Sequence, residues 1–178
     1  MPIDMKNKIS ETFISMVRQK GLDKITVKAL IAACNISRQT FYYHFQDIMD
    51  VVEWSVGRSA QNMLSRSLEA ESPEKAVEVF ITSAIEYQTL ISILLNSHRR
   101  EEIEKTFLSA TRTYLQEMLK SKVPESTLSY SDLNVMLDFW ACGITGLLFK
   151  YCSDKNLNVS QLADQIYRLL SEQMIRKQ

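Results

Sequence analysis

The side chains best suited to chemistry lie in one short run, Ser37-Arg38-Gln39-Thr40-Phe41-Tyr42-Tyr43-His44-Phe45. Its polar members include no acid. Arginine can bond guanine edges, glutamine can bond adenine edges, and threonine can touch a thymine methyl. Tyrosine hydroxyls and a histidine ring N–H suit phosphate oxygens, as does the N-terminus of a helix. If the run is helical, Ser37, Arg38, Gln39 and Thr40 occupy its first turn, with Tyr42, Tyr43 and His44 beside or behind them. Phe41 and Phe45, four apart, share the opposite face. A plain helical hairpin with a solvated outer face would show similar caps and spacing. Paired tyrosines beside an arginine are unusual on a face that meets only water.

The flanking residues supply the elements needed to hold that run. Thr26 is a good N-cap, and Val27 to Cys34 make about two helical turns with Leu30, Ala33 and Cys34 on a small inward face. Asn35 tolerates the left-handed backbone of a tight turn. Ser37 caps the second helix, and Ile36 and Phe41 are spaced as a hydrophobic staple. Thr26 and Lys28, at the start of the first of these helices, join the candidate DNA contacts. A preceding helix over residues 4–20 carries an apolar stripe of Ile9, Phe13, Met16 and Val17, with Gly21 as its stop.

With these residues in view, Ile25-Thr26-Val27, Ala32-Ala33 and Ile36 through Phe45 resemble the helix–turn–helix of the TetR (TetR/AcrR) family of bacterial transcription regulators. The resemblance spans roughly residues 5 to 60. It implies an all-α homodimer with an N-terminal three-helix helix–turn–helix DNA-binding domain and a C-terminal helical effector and dimerisation domain. Two positions depart from the family pattern: Asn35 stands where glycine is usual, and Ile48 where a phosphate-binding lysine is usual. Asp47 and Asp50 sit poorly against DNA. The Phe41-to-Asp47 run with Glu53-Trp54 also resembles the branch containing dihydroxyacetone-kinase operon activators.

The totals bound the rest. A chain of 178 residues buries a real core. Four glycines and three prolines favour long helices with short joints. Net charge is zero, yet residues 5–46 hold seven basic against two acidic residues, a net +5, as expected of a basic head on an acidic body. Cys34, Cys142 and Cys152 lack metal-ligand spacing. Cys142 and Cys152 would lie ~15 Å apart on one helix, too far to bridge. Free thiols and the lack of a signal-peptide core suit the cytoplasm. The longest stretch without a charged residue is twelve, Tyr87 to His98, too short for a membrane span. No nucleophile–base arrangement, phosphate loop or metal cluster is present, so an enzyme, a metal site and a cofactor are not expected.

Residues 1–50 are assigned to the DNA-binding domain and 51–178 to the C-terminal domain. A helix from Asp47 to about Glu69 joins them. Pro73 then starts a helix expected to run through Asn96, apolar nearly all round in its second half. Another covers Arg99 to Lys122, a loop follows from Pro124 to Tyr130, and Asp132 to Cys152 form a strongly apolar helix. In that helix Gly143 and Gly146 call for close approach of a neighbour. After a turn at Lys155–Asn158, Asn158 and Gln161 cap the last helix.

The last two helices carry surplus apolar surface, and Phe139, Gly143, Leu147, Leu162, Ile166, Leu169 and Leu170 are assigned to a twofold dimer interface, the alternative being that both helices are simply core. Phe80, Tyr87, Ile91, Phe107 and Trp140 are candidates for an effector pocket, though such residues are more often core. His98-Arg99-Arg100 is a candidate anion site, though such clusters are more often solvated. The expected partners are a palindromic double-stranded operator, a second copy, and a small-molecule or protein effector. The expected function is repression released by that effector. Activation under a protein partner, or an adaptor without DNA binding, are the alternatives.

Overall fold

The computed structural model describes residues 2–122, 129–151, 154 and 157–175. Among these the chain forms nine α-helices and no strand. They are α1 (Pro2–Lys20), α2 (Val27–Cys34), α3 (Arg38–His44), α4 (Ile48–Leu68), α5 (Pro73–Glu86), α6 (Gln88–Leu95), α7 (Arg100–Lys122), α8 (Tyr130–Tyr151) and α9 (Val159–Ile175), with a short 3-10 turn at Leu22–Lys24. Most of the loop expected from Pro124, together with Cys152 and Lys155–Asn156 of the expected turn, lies outside the described residues.

Packing divides the chain into two compact units: residues 1–58 with 89–107, and residues 59–88 with 108–178. The first unit is built on the α1 stripe. Ile9 and Val17 are fully buried and Phe13 nearly so. They share the unit's interior with Leu30, Cys34, Phe41, Phe45, Val51 and Val52, all at or near zero exposure. A buried hydrogen bond of 2.6 Å joins the Ser10 and Ser55 hydroxyls. Ser55 also donates to the Val51 carbonyl, so the pair adds directional bonds to an otherwise apolar packing surface. Leu90, Ile91, Leu94, Leu95 and Ile103 are the buried apolar side chains of the unit's later segment.

The second unit has its own core of Phe80, Ile81, Tyr114, Ile144, Leu162, Ala163 and Ile166. Here α5 packs along α9. Phe80 lies 4.5 Å from the Tyr114 ring. The Tyr114 hydroxyl donates to Ser67 at 2.8 Å, and Ser67 donates to the Ala76 carbonyl at 3.2 Å. Burial pushes the Tyr114 hydroxyl up to about 12, partly offset by the bond to Ser67. Thr145 donates to Thr111 at 3.1 Å, so α7 and α8 also share a buried polar contact. At their surface Arg112 bonds Asp138 at 2.6 Å and Asn134 at 2.7 Å.

The single helix expected from Pro73 to Asn96 is two helices. Its ladder breaks at Tyr87 (φ −99°, ψ 5°), whose N–H donates to Ala84. The all-round apolar pattern arises because the halves bury their faces in different units. Phe80, Ile81 and Ala84 go into the second unit, and Leu90, Ile91, Leu94 and Leu95 into the first.

Gly143 and Gly146 also differ from expectation. A Cβ at each would meet nothing within 4 Å among the described residues. By length and composition α8 could cross a membrane. Leu137, Ala141, Ile144 and Thr145 are nonetheless buried within the chain.

Candidate nucleic-acid interface

The helix–turn–helix forms as its caps dictate. Thr26 accepts from the Ala29 N–H at 3.1 Å and starts α2. Asn35 ends it in the left-handed region (φ 51°, ψ 54°), the one non-glycine residue at positive φ among the described residues. Its N–H and that of Ile36 close back on Ala32 and Ile31. The departure from glycine is therefore absorbed without loss of the turn. Ala33, expected on the inward face, is exposed instead, because Leu30 and Cys34 already fill the short contact.

Ser37 then accepts from the Thr40 N–H at 2.9 Å, and its hydroxyl lies 2.8 Å from that of Thr40. Behind α3, Phe41 is 0% and Phe45 1% exposed, their rings 6.1 Å apart. Phe45 also meets Trp54 edge to face, and the Lys6 ammonium stands 5.0 Å from its ring centre. The helix is held from behind by these two phenylalanines.

On the outer side Ser37, Arg38, Gln39, Tyr42 and Tyr43 are exposed, while Thr40 and His44 are partly covered. The Arg38 guanidinium sits 5.3 Å from the Tyr42 ring centre, which leaves its planar N–H edge available. Tyr43, 79% exposed, packs edge to face with His44. Thr26 and Lys28 are exposed at the start of α2. The geometry offers donors and aromatic edges to a polyanion from one short helix and the preceding helix start.

The two acids after α3 have local work. Asp47 accepts from the Asp50 N–H at 3.0 Å, and Asp50 accepts from the Gln46 N–H at 2.9 Å. These two bonds start α4 in a variant of the capping box, in which the Asp50 carboxylate reaches the N–H one residue before the cap. Ile48, at the usual lysine position, is 7% exposed and faces the core. A phosphate contact from that side chain is absent. Helix initiation and burial explain the departure.

The other expected site residues fall in different places. Phe80, Tyr87 and Trp140 belong to the second unit, with Phe80 inside its core, whereas Ile91 and Phe107 belong to the first. Of the residues assigned to a dimer face, Phe139 is 63% and Leu169 56% exposed, and Gly143 is exposed. Leu147 and Leu170 are partly buried against the unit's own core. Leu162 and Ile166, at 8% and 3%, lie in the unit's own core.

Sequence reasoning did not find Asp23. Its carboxylate accepts from the His98 backbone N–H at 3.1 Å and lies 2.9 Å from the His98 ring Nδ1. The 75-residue separation left no pattern to read.

Two family descriptions match the chain. "Bacterial regulatory proteins, tetR family" covers residues 14–53, and "Transcriptional regulator C-terminal region" covers residues 71–172. A curated relative is the HTH-type transcriptional regulator YerO of Bacillus subtilis (strain 168), 23% identical over 150 residues, which cover 75% of this chain and 52% of that one. The chain thus spans about half the length of that relative.

Among solved structures, the dihydroxyacetone kinase operon activator DhaS matches with a TM-score of 0.66 at 18% identity, covering 96% of each chain. FadR from Bacillus subtilis, solved in complex with stearoyl-CoA, matches with a TM-score of 0.54 at 14% identity, covering 92% of this chain and 96% of that one. The two structural likenesses show the shared fold. The two family matches, the second spanning more than half of the sequence, show that the chain belongs to the TetR family of bacterial transcriptional regulators.

Proposed function

We propose that the protein is a homodimeric, sequence-specific DNA-binding repressor of the cytoplasm, with residues 1–50 as its DNA-binding domain and 51–178 as its effector and dimerisation domain. The observation that carries this reading is the outer face of α3. Arg38, Gln39, Tyr42 and Tyr43 are exposed together without an acid, on a helix held from behind by two buried phenylalanines. Each subunit lays α3 in a major groove. Arg38 and Gln39 read base edges, and Tyr42, Tyr43, His44, Thr26 and Lys28 position the helix on phosphates. Ser37 and Thr40, whose hydroxyls bond each other, fix the helix start. A twofold dimer demands a palindromic operator with half-sites about 34–36 Å apart, or a multiple of a helical turn.

The dimer is proposed to form through α8 and α9, using Phe139, Gly143 and Leu169 with the edges of Leu147 and Leu170. A Cβ at Gly143 or Gly146 would meet nothing within 4 Å among the described residues, which leaves room for a partner's helix. An effector in the C-terminal domain releases DNA only if it binds one half-site spacing better than the other. The ligand bound by FadR, stearoyl-CoA, suggests compounds with a long acyl chain as the effector class to try first, with Phe80, Tyr87 and Trp140 as the side chains to follow.

Selection of bound duplexes from a random library tests the reading, with Arg38→Ala and Tyr42→Ala beside the native protein. An enriched palindrome bound weakly by both variants supports it. A folded dimer that enriches no site at low salt would shift the assignment to a protein–protein adaptor, a reading favoured by the zero net charge and the buried Ile48. The fold match to an operon activator favours activation as a second mode. Transcription in vitro from the selected site, rising or falling with added protein, decides between the two.

A further inference from the structure

We propose that Lys6 of α1 bonds a DNA backbone phosphate beside the joint of α3 and α4, supplying the cation that the first turn of α4 lacks. The inference rests on the DNA-binding reading and adds a third helix to the surface formed by α3 and the start of α2.

The start of α4 is poorly furnished for a polyanion. Its first residue, Ile48, is buried, and its first turn holds no basic side chain. Asp47 and Asp50 place two carboxylates there instead. Those carboxylates already accept from the N–H groups of Asp50 and Gln46, at 3.0 and 2.9 Å. A phosphate passing the end of α3 would meet negative charge from α4.

The geometry brings a cation to the same joint from α1. Lys6 and Ser10 are four apart and share one helix face. The Ser10 hydroxyl bonds that of Ser55 at 2.6 Å, which turns this face toward α4. One turn earlier the Lys6 ammonium stands 5.0 Å from the centre of the Phe45 ring. Phe45 closes α3, its N–H bonded to the Phe41 carbonyl, and lies three positions before Ile48. The charge is therefore held at the α3–α4 joint by the ring. Lys6 is partly covered and enters no ion pair among the described residues. An ammonium has three donors, and a ring face engages only one side of it, so donors remain for a phosphate oxygen. Lys8, two residues on, lies roughly 200° around the helix and is exposed. It enters no contact with a ring among the described residues.

The test uses the palindrome enriched by the duplex selection, with affinity measured by fluorescence anisotropy across a salt series. Lys6→Gln should weaken binding about tenfold or more at 0.1 M salt and lower the slope of log affinity against log salt by about 0.9 per subunit. Lys6→Met, which keeps the stem over the ring, should do the same. Lys6→Arg should keep both affinity and slope, and Lys8→Gln should keep the slope. Replacing phosphates one at a time by uncharged methylphosphonate should reveal a position in each half-site where the native chain loses affinity and the Lys6→Gln chain does not. A weaker Lys6→Gln complex with an unchanged slope and no such phosphate would make Lys6 a structural support only, and overturns the proposal. Native affinity and slope in Lys6→Gln overturn it too, with the DNA-binding reading left standing. A native chain that enriches no palindrome overturns both.

Discussion

Two exposed surfaces on this chain differ in what their side chains offer a partner. On α3 the exposed rings are Tyr42 and Tyr43, each ending in a hydroxyl and set beside Arg38. On α8 and α9, beyond Tyr130 at the start of α8, the exposed large apolar side chains are Val135, Phe139 and Leu169, which end in hydrocarbon. The first surface can cover a partner while bonding to it and suits a hydrated polyanion. The second gains only by removing water from both sides and suits another apolar protein face. Exposure alone does not separate them, since Tyr43 at 79% and Phe139 at 63% are both largely open. What they can offer once covered does.

The largest effect should come from undoing the support behind the first surface. Phe41 is fully buried beneath α3, and Phe41→Ala should lower stability by about 3–5 kcal/mol, read by chemical denaturation. DNA binding should fall with it. An unchanged denaturation midpoint would mean that α3 is not held from behind as described. On the apolar surface the expectation reverses. Phe139→Asp with Leu169→Asp should leave the chain's own fold nearly intact while weakening the dimer by about 2–4 kcal/mol, the range of interface hot spots. Analytical ultracentrifugation reads the shift to monomer. A dimer as tight as the native one would remove the α8–α9 assignment and leave those side chains without a partner.

A third measurement probes the polar chain inside the second unit. Folding raises the Tyr114 hydroxyl from 10.0 to about 12 by burial. The group is neutral when protonated, and the folded chain holds its proton more firmly than the unfolded one. Its contribution is present below pH 10 and is lost as pH rises from 10 toward 12, reaching about 2.7 kcal/mol over two units. Tyr114→Phe should flatten that alkaline decline in thermal melts, although it also removes the 2.8 Å bond to Ser67. A decline of equal slope in the variant would assign the loss to other groups.

Much of the head could be read from the chain because its signals are local. Thr26, Asn35 and Ser37 act on neighbours within a few residues, and the α1 stripe repeats at helical spacing, so caps, turn and buried face all follow from short windows. The helix after Pro73 could not be read the same way. A segment apolar on every side looks alike whether it is one buried helix or two helices buried in different units, and only the tertiary packing breaks it at Tyr87. A related limit applies to Leu162 and Ile166, which are buried in the second unit's core. A clean apolar stripe on the last helix does not say which of its residues the chain keeps for its own core. Asp23 and His98 left no trace, because a contact across 75 residues has no period.

The smallest predicted effect separates two roles of one acid. Asp47 caps α4 through the Asp50 N–H, and its charge also stands next to the recognition helix in sequence, where the family usually bears a lysine close by. Asparagine caps a helix about as well as aspartate, so Asp47→Asn should keep the melting temperature while removing one negative charge. Asp47→Ala should instead cost about 1 kcal/mol of stability through the lost cap. If the start of α4 approaches phosphate, the asparagine variant should bind DNA about two- to fivefold more tightly at low salt, with the gain shrinking as salt rises. Equal affinity at every salt concentration would place that helix start away from the DNA backbone. The departure from the family's lysine would then be neutral for binding, and contact with DNA would rest on α3 and the start of α2.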